Sequence, residues 1–305
     1  MSLQGVMIGL HSFGLFCAII GECTMIAVLS MMLFRRTTLK NEPVNCFLSA
    51  HLFLCLLVSY PLFMDKCICS IHGHLHANVR FNDFWCRIKA YLIYCNAGMY
   101  FYTVLLQATY RCVRIVYPTR MKLQSFRLYA IVSMLHTMIA YAQVCPSLLL
   151  GSIEYLENDY VCQFAPTNVS GSLFICSVAF LFPFALTLCL YARTMYYVRK
   201  RGAAMISTNR QARVRRDLTI MTRLVVLLTI LTTIAAPHGI ITIVYALTGH
   251  IPLWAVPFEW TMTIFALTTV SIIQVFSSPH LYKLFRRLPP IQPMSMTPMA
   301  YPRTA

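Results

Sequence analysis

Charge is what this sequence has least of. Only 11% of its 305 residues are charged, and just nine are acidic. A soluble domain carries about 25% charged residues, so water is not the main solvent of this chain. It also has no Gly-rich phosphate loop, no helical pair of metal-binding histidines and no nucleophile set beside a base. An enzyme is therefore not expected, and no cofactor or metal is implied. Tryptophan is rare as well. Trp85, Trp254 and Trp260 all fall near one boundary of the apolar runs, where an aromatic belt at the membrane interface accounts for them.

Hydrophobic residues make up 58% of the chain. Runs long enough to cross a bilayer recur along almost its whole length. Spans are expected at about 5–34, 44–64, 84–117, 127–150, 171–198, 214–247 and 251–278. The expected fold is an all-α membrane protein, a bundle of seven transmembrane helices. One domain, 1–288, would hold all seven together with a short interfacial helix over 279–287. The first run lacks a basic segment before it and a small-residue cleavage site after it, so it reads as a helix rather than a signal peptide. After Pro279, Leu281, Tyr282, Leu284 and Phe285 alternate with Lys283, Arg286 and Arg287, a pattern suited to the interface plane. The tail 289–305 holds five prolines and reads as a disordered cytoplasmic segment.

A net charge of +16 could signal nucleic-acid binding, but the placement of the basic residues argues for a membrane. Arg35, Arg36 and Lys40 follow the first span. Arg114, Arg120, Lys122 and Arg127 surround the third connection, and seven more basic residues fill 199–216. The opposite loops carry Asp65, Asp83, Glu154, Glu157 and Asp159 against only Lys66, Arg80, Arg87 and Lys89. Basic residues stay on the cytoplasmic side, so the amino terminus is expected outside and the carboxyl terminus inside, with anionic lipid as a partner and no nucleic acid.

Most of the thirteen cysteines, among them Cys17, Cys95, Cys176 and Cys189, lie within spans and read as small buried residues. Cys86 and Cys162 fall on the outer, oxidising side, where a disulfide would pin the loop 151–170 over the third span. That loop also contains the sequon Asn168-Val169-Ser170, a candidate glycosylation site. The connection 65–84 contains Cys67, Cys69, His72, His74 and His76. These can be drawn as a zinc site, but loop ligands without a scaffold are poorly organised, and a polar loop is the simpler reading.

Several landmarks fall in order. Trp85-Cys86 opens the third span, and Arg111 closes it 25 residues later (111 − 86). Pro146 follows in the fourth, Pro183 and Tyr191 in the fifth, and Pro237 in the sixth, while Val270 to Arg287 covers the last span's end and the short helix after it. The chain resembles the rhodopsin-like (class A) G-protein-coupled receptors over all seven spans. It departs from them in places. Tyr110-Arg111-Cys112 replaces Asp-Arg-Tyr, and Val270-Ser271-Ile272-Ile273-Gln274 replaces Asn-Pro-x-x-Tyr. Cys55 stands for the sodium-binding aspartate, Glu22 for the first-helix asparagine, Ala235 for the sixth-helix tryptophan and His136 for the fourth-helix tryptophan.

The resemblance implies a ligand pocket between spans three, five, six and seven, faced by Tyr94, Ala97, His238, Glu259 and Trp260. His238 and Glu259 are its polar anchors. Ile93 in place of an aspartate argues against a biogenic amine. Ile264, with no lysine in 251–278, excludes a retinal Schiff base. The short segment before the first span leaves no room for a hormone-binding domain, so a small molecule or short peptide is expected. Arg111, Arg114 and Tyr191 would face a heterotrimeric G protein. Asp217 is a candidate clip for Arg111, although Arg213 and Arg216 compete for it. Glu22 is expected as a neutral acid bonded to His51 or Ser49, and His136 as a satisfied core histidine. The function implied is a plasma-membrane receptor activating a G protein. A receptor-fold scaffold or decoy is the alternative. A transporter or channel fits less well, because its paired mid-membrane charges reduce here to Glu22.

Overall fold

The computed structural model describes residues 3–34, 43–76, 81–165, 167–201, 218–223, 225–226, 228–230, 232 and 236–277. Its helices are α1 (Leu3–Phe34), α2 (Pro43–Leu75), α3 (Phe84–Val116), α4 (Phe126–Leu149), α5 (Val169–Lys200), α6 (Pro237–Thr248) and α7 (Ala255–Ser277). A shorter apolar helical stretch, Leu218–Ile230, precedes α6. Between α4 and α5 lies a hairpin of β1 (Ile153–Leu156) and β2 (Val161–Phe164), which the all-helical expectation did not include.

By length and apolarity, α1, α2, α4, α5 and α7 can each cross a membrane. Helix α3 has 33 residues, about 50 Å at ~1.5 Å per residue, but it is more polar. Its position explains why. It packs against α2, α4, α5 and both strands, so Asn96, Thr103 and Gln107 are buried in protein rather than in lipid. The outward faces carry the opposite chemistry. Met134 is 72% exposed and Leu247 80%, a pattern that only a hydrocarbon solvent accommodates.

Helix boundaries follow local chemistry. Asp83 caps α3 by accepting the Cys86 amide at 2.7 Å, and Ser125 caps α4 by accepting from Leu128. Gly249, at φ 70°, ends α6 in the left-handed conformation. In α5 a π-helical stretch, Cys176–Leu181, stands just before Pro183. The proline cannot donate to the preceding turn, and the wider turn absorbs that loss.

Helix α2 corrects the sequence reading. Residues 65–75 are helix, not loop. Lys66, Cys67, Ser70, Gly73 and His74 are all buried, at intervals of one, three, three and one. That is one helical face, packed on α1 and the hairpin, and its polar residues disguised it as a loop. His72 in its last turn and His76 just beyond it stand four residues apart with ring centroids 4.9 Å from each other, so a helically spaced histidine pair does exist.

Within the bundle, polar groups pair between helices. His51 Nδ1 meets Thr103 Oγ1 at 3.2 Å, and its Nε2 is 3.5 Å from Thr137 Oγ1. Both ring nitrogens therefore face α3 and α4, which overturns the expected partnership of His51 with Glu22. His136 bonds Thr103 (3.2 Å) and the Val132 carbonyl (3.1 Å), the satisfied core histidine anticipated. On the other side, Tyr60 bonds Ser271 at 3.2 Å, while Thr261 and Thr268 donate to α1 carbonyls.

Gly21 lets α1 approach α2, because a Cβ there would collide with the fully buried Tyr60 ring. Gly21→Ala should cost about 1–3 kcal/mol through overpacking. A thermal unfolding midpoint of the purified variant equal to that of the unmodified chain would contradict this.

Candidate ligand cavity

A cavity of about 300 Å³ opens between α3, α5, α6 and α7. All five residues expected to face it do line it: Tyr94, Ala97, His238, Glu259 and Trp260. The walls are otherwise mostly apolar, with Phe63, Phe101, Phe180, Ile243 and Leu267 among them.

His238 is set by the backbone. Helix α6 starts at Pro237, where a missing N–H costs nothing, so His238 sits in its first turn. Its Nδ1 lies 2.6 Å from Glu259 Oε1, and both side chains are almost wholly buried, at 10% and 4% exposure. The outer atoms of this pair, His238 Nε2 and Glu259 Oε2, have no hydrogen-bond partner among the described residues. Buried polar atoms left open in an apolar cavity are where a ligand's polar group would gain most. Tyr94 stands beside them, its ring edge-on to Phe164 (4.6 Å) and Trp260 (5.8 Å).

Two residues at this site escaped the sequence reading. Lys66 was counted among loop charges, yet it is 6% exposed and its Nζ lies 3.3 Å above the Trp260 ring. A lysine inside an apolar run that resumes after it, as at Ile68, was the signal. Gln163 is the second. Its Oε1 accepts from Lys66 Nζ at 3.0 Å and from Trp260 Nε1 at 2.5 Å. One amide oxygen thus joins α2, α7 and β2. Trp260 is accordingly a buried member of this site, whereas Trp85 and Trp254 remain exposed as belt residues should be.

The hairpin is held to α3 by the Cys86–Cys162 disulfide, with Cα atoms 5.5 Å apart. Cys67 and Cys69 are free thiols. In the hairpin turn, burial pushes the Asp159 carboxyl up to about 7, against the pull of Lys66. Asn168 is half-buried and caps α5, its Oδ1 accepting from the Gly171 amide at 3.0 Å.

At the far end of α3, Arg111 and Arg114 are half-buried. Nearby, Ile115 packs on Met221 with Tyr191 and Leu218 around them, and Tyr191 Oη is 3.3 Å from Thr222 Oγ1. These contacts join α3, α5 and the stretch before α6. Asp217, Ala235, the basic loop 202–216 and the expected interfacial helix and tail lie outside the described residues.

The profile of the 7 transmembrane receptor (rhodopsin family) matches residues 23–278. The chain belongs to the rhodopsin family of G-protein-coupled receptors. A comparison with curated proteins finds no match. Membership settles the number of crossings at seven. Five helices are long and apolar enough to cross by themselves, while Leu218–Ile230 and α6 are shorter apolar helices.

Replacing Gln163 tests the knot at the cavity's edge. Gln163→Leu leaves a buried ammonium and an indole N–H without their acceptor, an expected loss of about 2–3 kcal/mol. Gln163→Glu keeps both bonds and should unfold at a higher temperature than the leucine variant. The reverse order would refute the role given to this amide.

Proposed function

We propose that this receptor binds a small, largely apolar extracellular molecule bearing one polar group, and passes the signal to a heterotrimeric G protein from the plasma membrane. A volume near 300 Å³ suits a small molecule better than a folded hormone. The observation carrying the reading is the His238–Glu259 pair, nearly buried in an apolar cavity with one open atom on each residue. A short peptide side chain entering the same space would use the same two atoms.

The basic loops give the orientation, with the disulfide end outside and the Arg111 end toward the cytoplasm. Ligand and G protein would each bind one global arrangement better than the other, so occupancy at the cavity biases the opposite end. Pro183 with its π turn, and the helix start at Pro237, are natural places for α5 and the sixth span to bend. The contacts of Tyr191 with Thr222 and of Ile115 with Met221 are what such motion would break. Arg111, Arg114 and the basic loops would meet the G protein. A clip from Arg111 to Asp217 would hold the resting state, resting here on sequence position alone.

The decisive test is nucleotide exchange by a panel of purified G proteins on membranes carrying the receptor. Exchange above that of empty membranes, lost in Arg111→Ala at equal expression, is expected. Exchange unaffected by the substitution would favour the scaffold reading. Asp217→Asn should raise basal exchange, since it removes the clip, and an unchanged basal rate would discard Asp217 as the partner.

A further inference from the structure

Three buried side chains from three separate elements meet at the disulfide end of the bundle. His11 comes from α1, His74 from the last turn of α2 and Asp159 from the turn between β1 and β2. One ring nitrogen of each histidine and one carboxylate oxygen all lie within 4.8 Å of one another. The three residues are 2%, 8% and 3% exposed, so each is more than nine-tenths buried. Yet His11 Nε2, His74 Nε2 and Asp159 Oδ1 have no hydrogen-bond partner among the described residues. Buried polar atoms are nearly always paired, so three clustered residues that each keep an open atom call for a common partner.

We infer that His11, His74 and Asp159 form a site for a divalent transition metal, zinc being the best match, which clamps the hairpin to α1 and α2. Two imidazoles and one carboxylate are a donor set that zinc accepts, with a water free to take the fourth position. Calcium and magnesium prefer oxygen ligands throughout and suit two imidazoles poorly. Bond lengths of about 2.1 Å place tetrahedral ligands about 3.4 Å apart, so closure onto the ion needs side-chain shifts on the order of 1 Å.

The surroundings hold the ligands in place. Gln4 donates from its Nε2 to the His74 carbonyl, tying α1 to the end of α2. The Tyr160 ring stands edge-on to the His74 ring at 5.2 Å. It also fills the space beside Gly73, where a Cβ would collide with it. Tyr160 adopts φ 56°, a left-handed conformation uncommon for a tyrosine, in the same turn as the buried Asp159. Such strain persists where the surrounding structure over-determines it.

The positive charge of Lys66 reaches both His11 and Asp159. Its ammonium is engaged by the Gln163 amide oxygen and the Trp260 ring, and Asp159 supplies the anion the metal needs. A clamp here would restrain the same hairpin whose Gln163 bonds Trp260, a residue of the cavity wall. The site is therefore placed to tune ligand entry without touching the ligand. It is distinct from His72 and His76, which sit at the rim of α2.

The test needs neither a ligand nor a G protein, so it is independent of the signalling role. The full-length receptor, purified and stripped with chelator, is dialysed against micromolar zinc chloride. One zinc retained per chain and a raised unfolding temperature are expected, and cobalt in its place should give the intense visible bands of a tetrahedral site. Because even outer-shell substitutions cost metal sites about 10–100-fold in affinity, His11→Ala, His74→Ala and Asp159→Asn should each weaken zinc binding at least about 100-fold. The double variant His72→Ala/His76→Ala should bind as the unmodified receptor does. Unmodified receptor that retains no zinc and shows no thermal shift overturns the proposal, without recourse to variants that fold poorly. Loss of binding in the rim double variant alone would overturn it too.

Discussion

The attachment of one short hairpin organises everything at the disulfide end of this receptor. Strand β2 carries Cys162, bonded to α3, and the next residue, Gln163, whose single amide oxygen takes bonds from Lys66 and Trp260. Alternation along the strand is what makes this work. Cys162 and Phe164 reach the helical core while Gln163 reaches the other way, and all four residues of β2 are buried. Without the covalent bond the amide would not be held at the point where α2 and α7 meet. With it, a charged lysine can be buried at tolerable cost, since its ammonium has both an acceptor and an aromatic face.

The rest of the molecule is built inside out around that constraint. Lipid-facing positions such as Met134 and Leu247 are large and apolar, and polar residues gather at helix contacts. The network of His51, Thr103, His136 and Thr137 shows the economy of the arrangement. One hydroxyl on α3 meets imidazoles from α2 and α4, so three helices are bound by atoms that would each be costly in hydrocarbon alone. The same logic applies to the cavity. His238 and Glu259 satisfy each other on one side and, among the described residues, remain open on the other.

The membrane class and the helical bundle were legible because hydropathy acts locally along the chain. The cavity residues were legible for another reason: their distances from Cys86, Pro183 and Pro237 matched a known pattern, and each does line the cavity. Reading failed where polar residues face protein rather than water. The last three turns of α2 looked like a loop because Lys66, Ser70 and His74 are polar, although they form a buried helical face. Glu22 was given His51 or Ser49 as partner on depth alone, and rotation about the helix axis turned His51 toward Thr103 and Thr137.

The sequence by itself determined that this chain crosses a membrane repeatedly, since apolar length needs no knowledge of neighbours. Only the tertiary structure decided which polar side chains meet. Lys66 with Gln163, His238 with Glu259, and His11 with His74 and Asp159 are brought together from distant positions by helix rotation and by one turn in the hairpin. No local pattern encodes those angles, because they arise from packing of whole helices against one another.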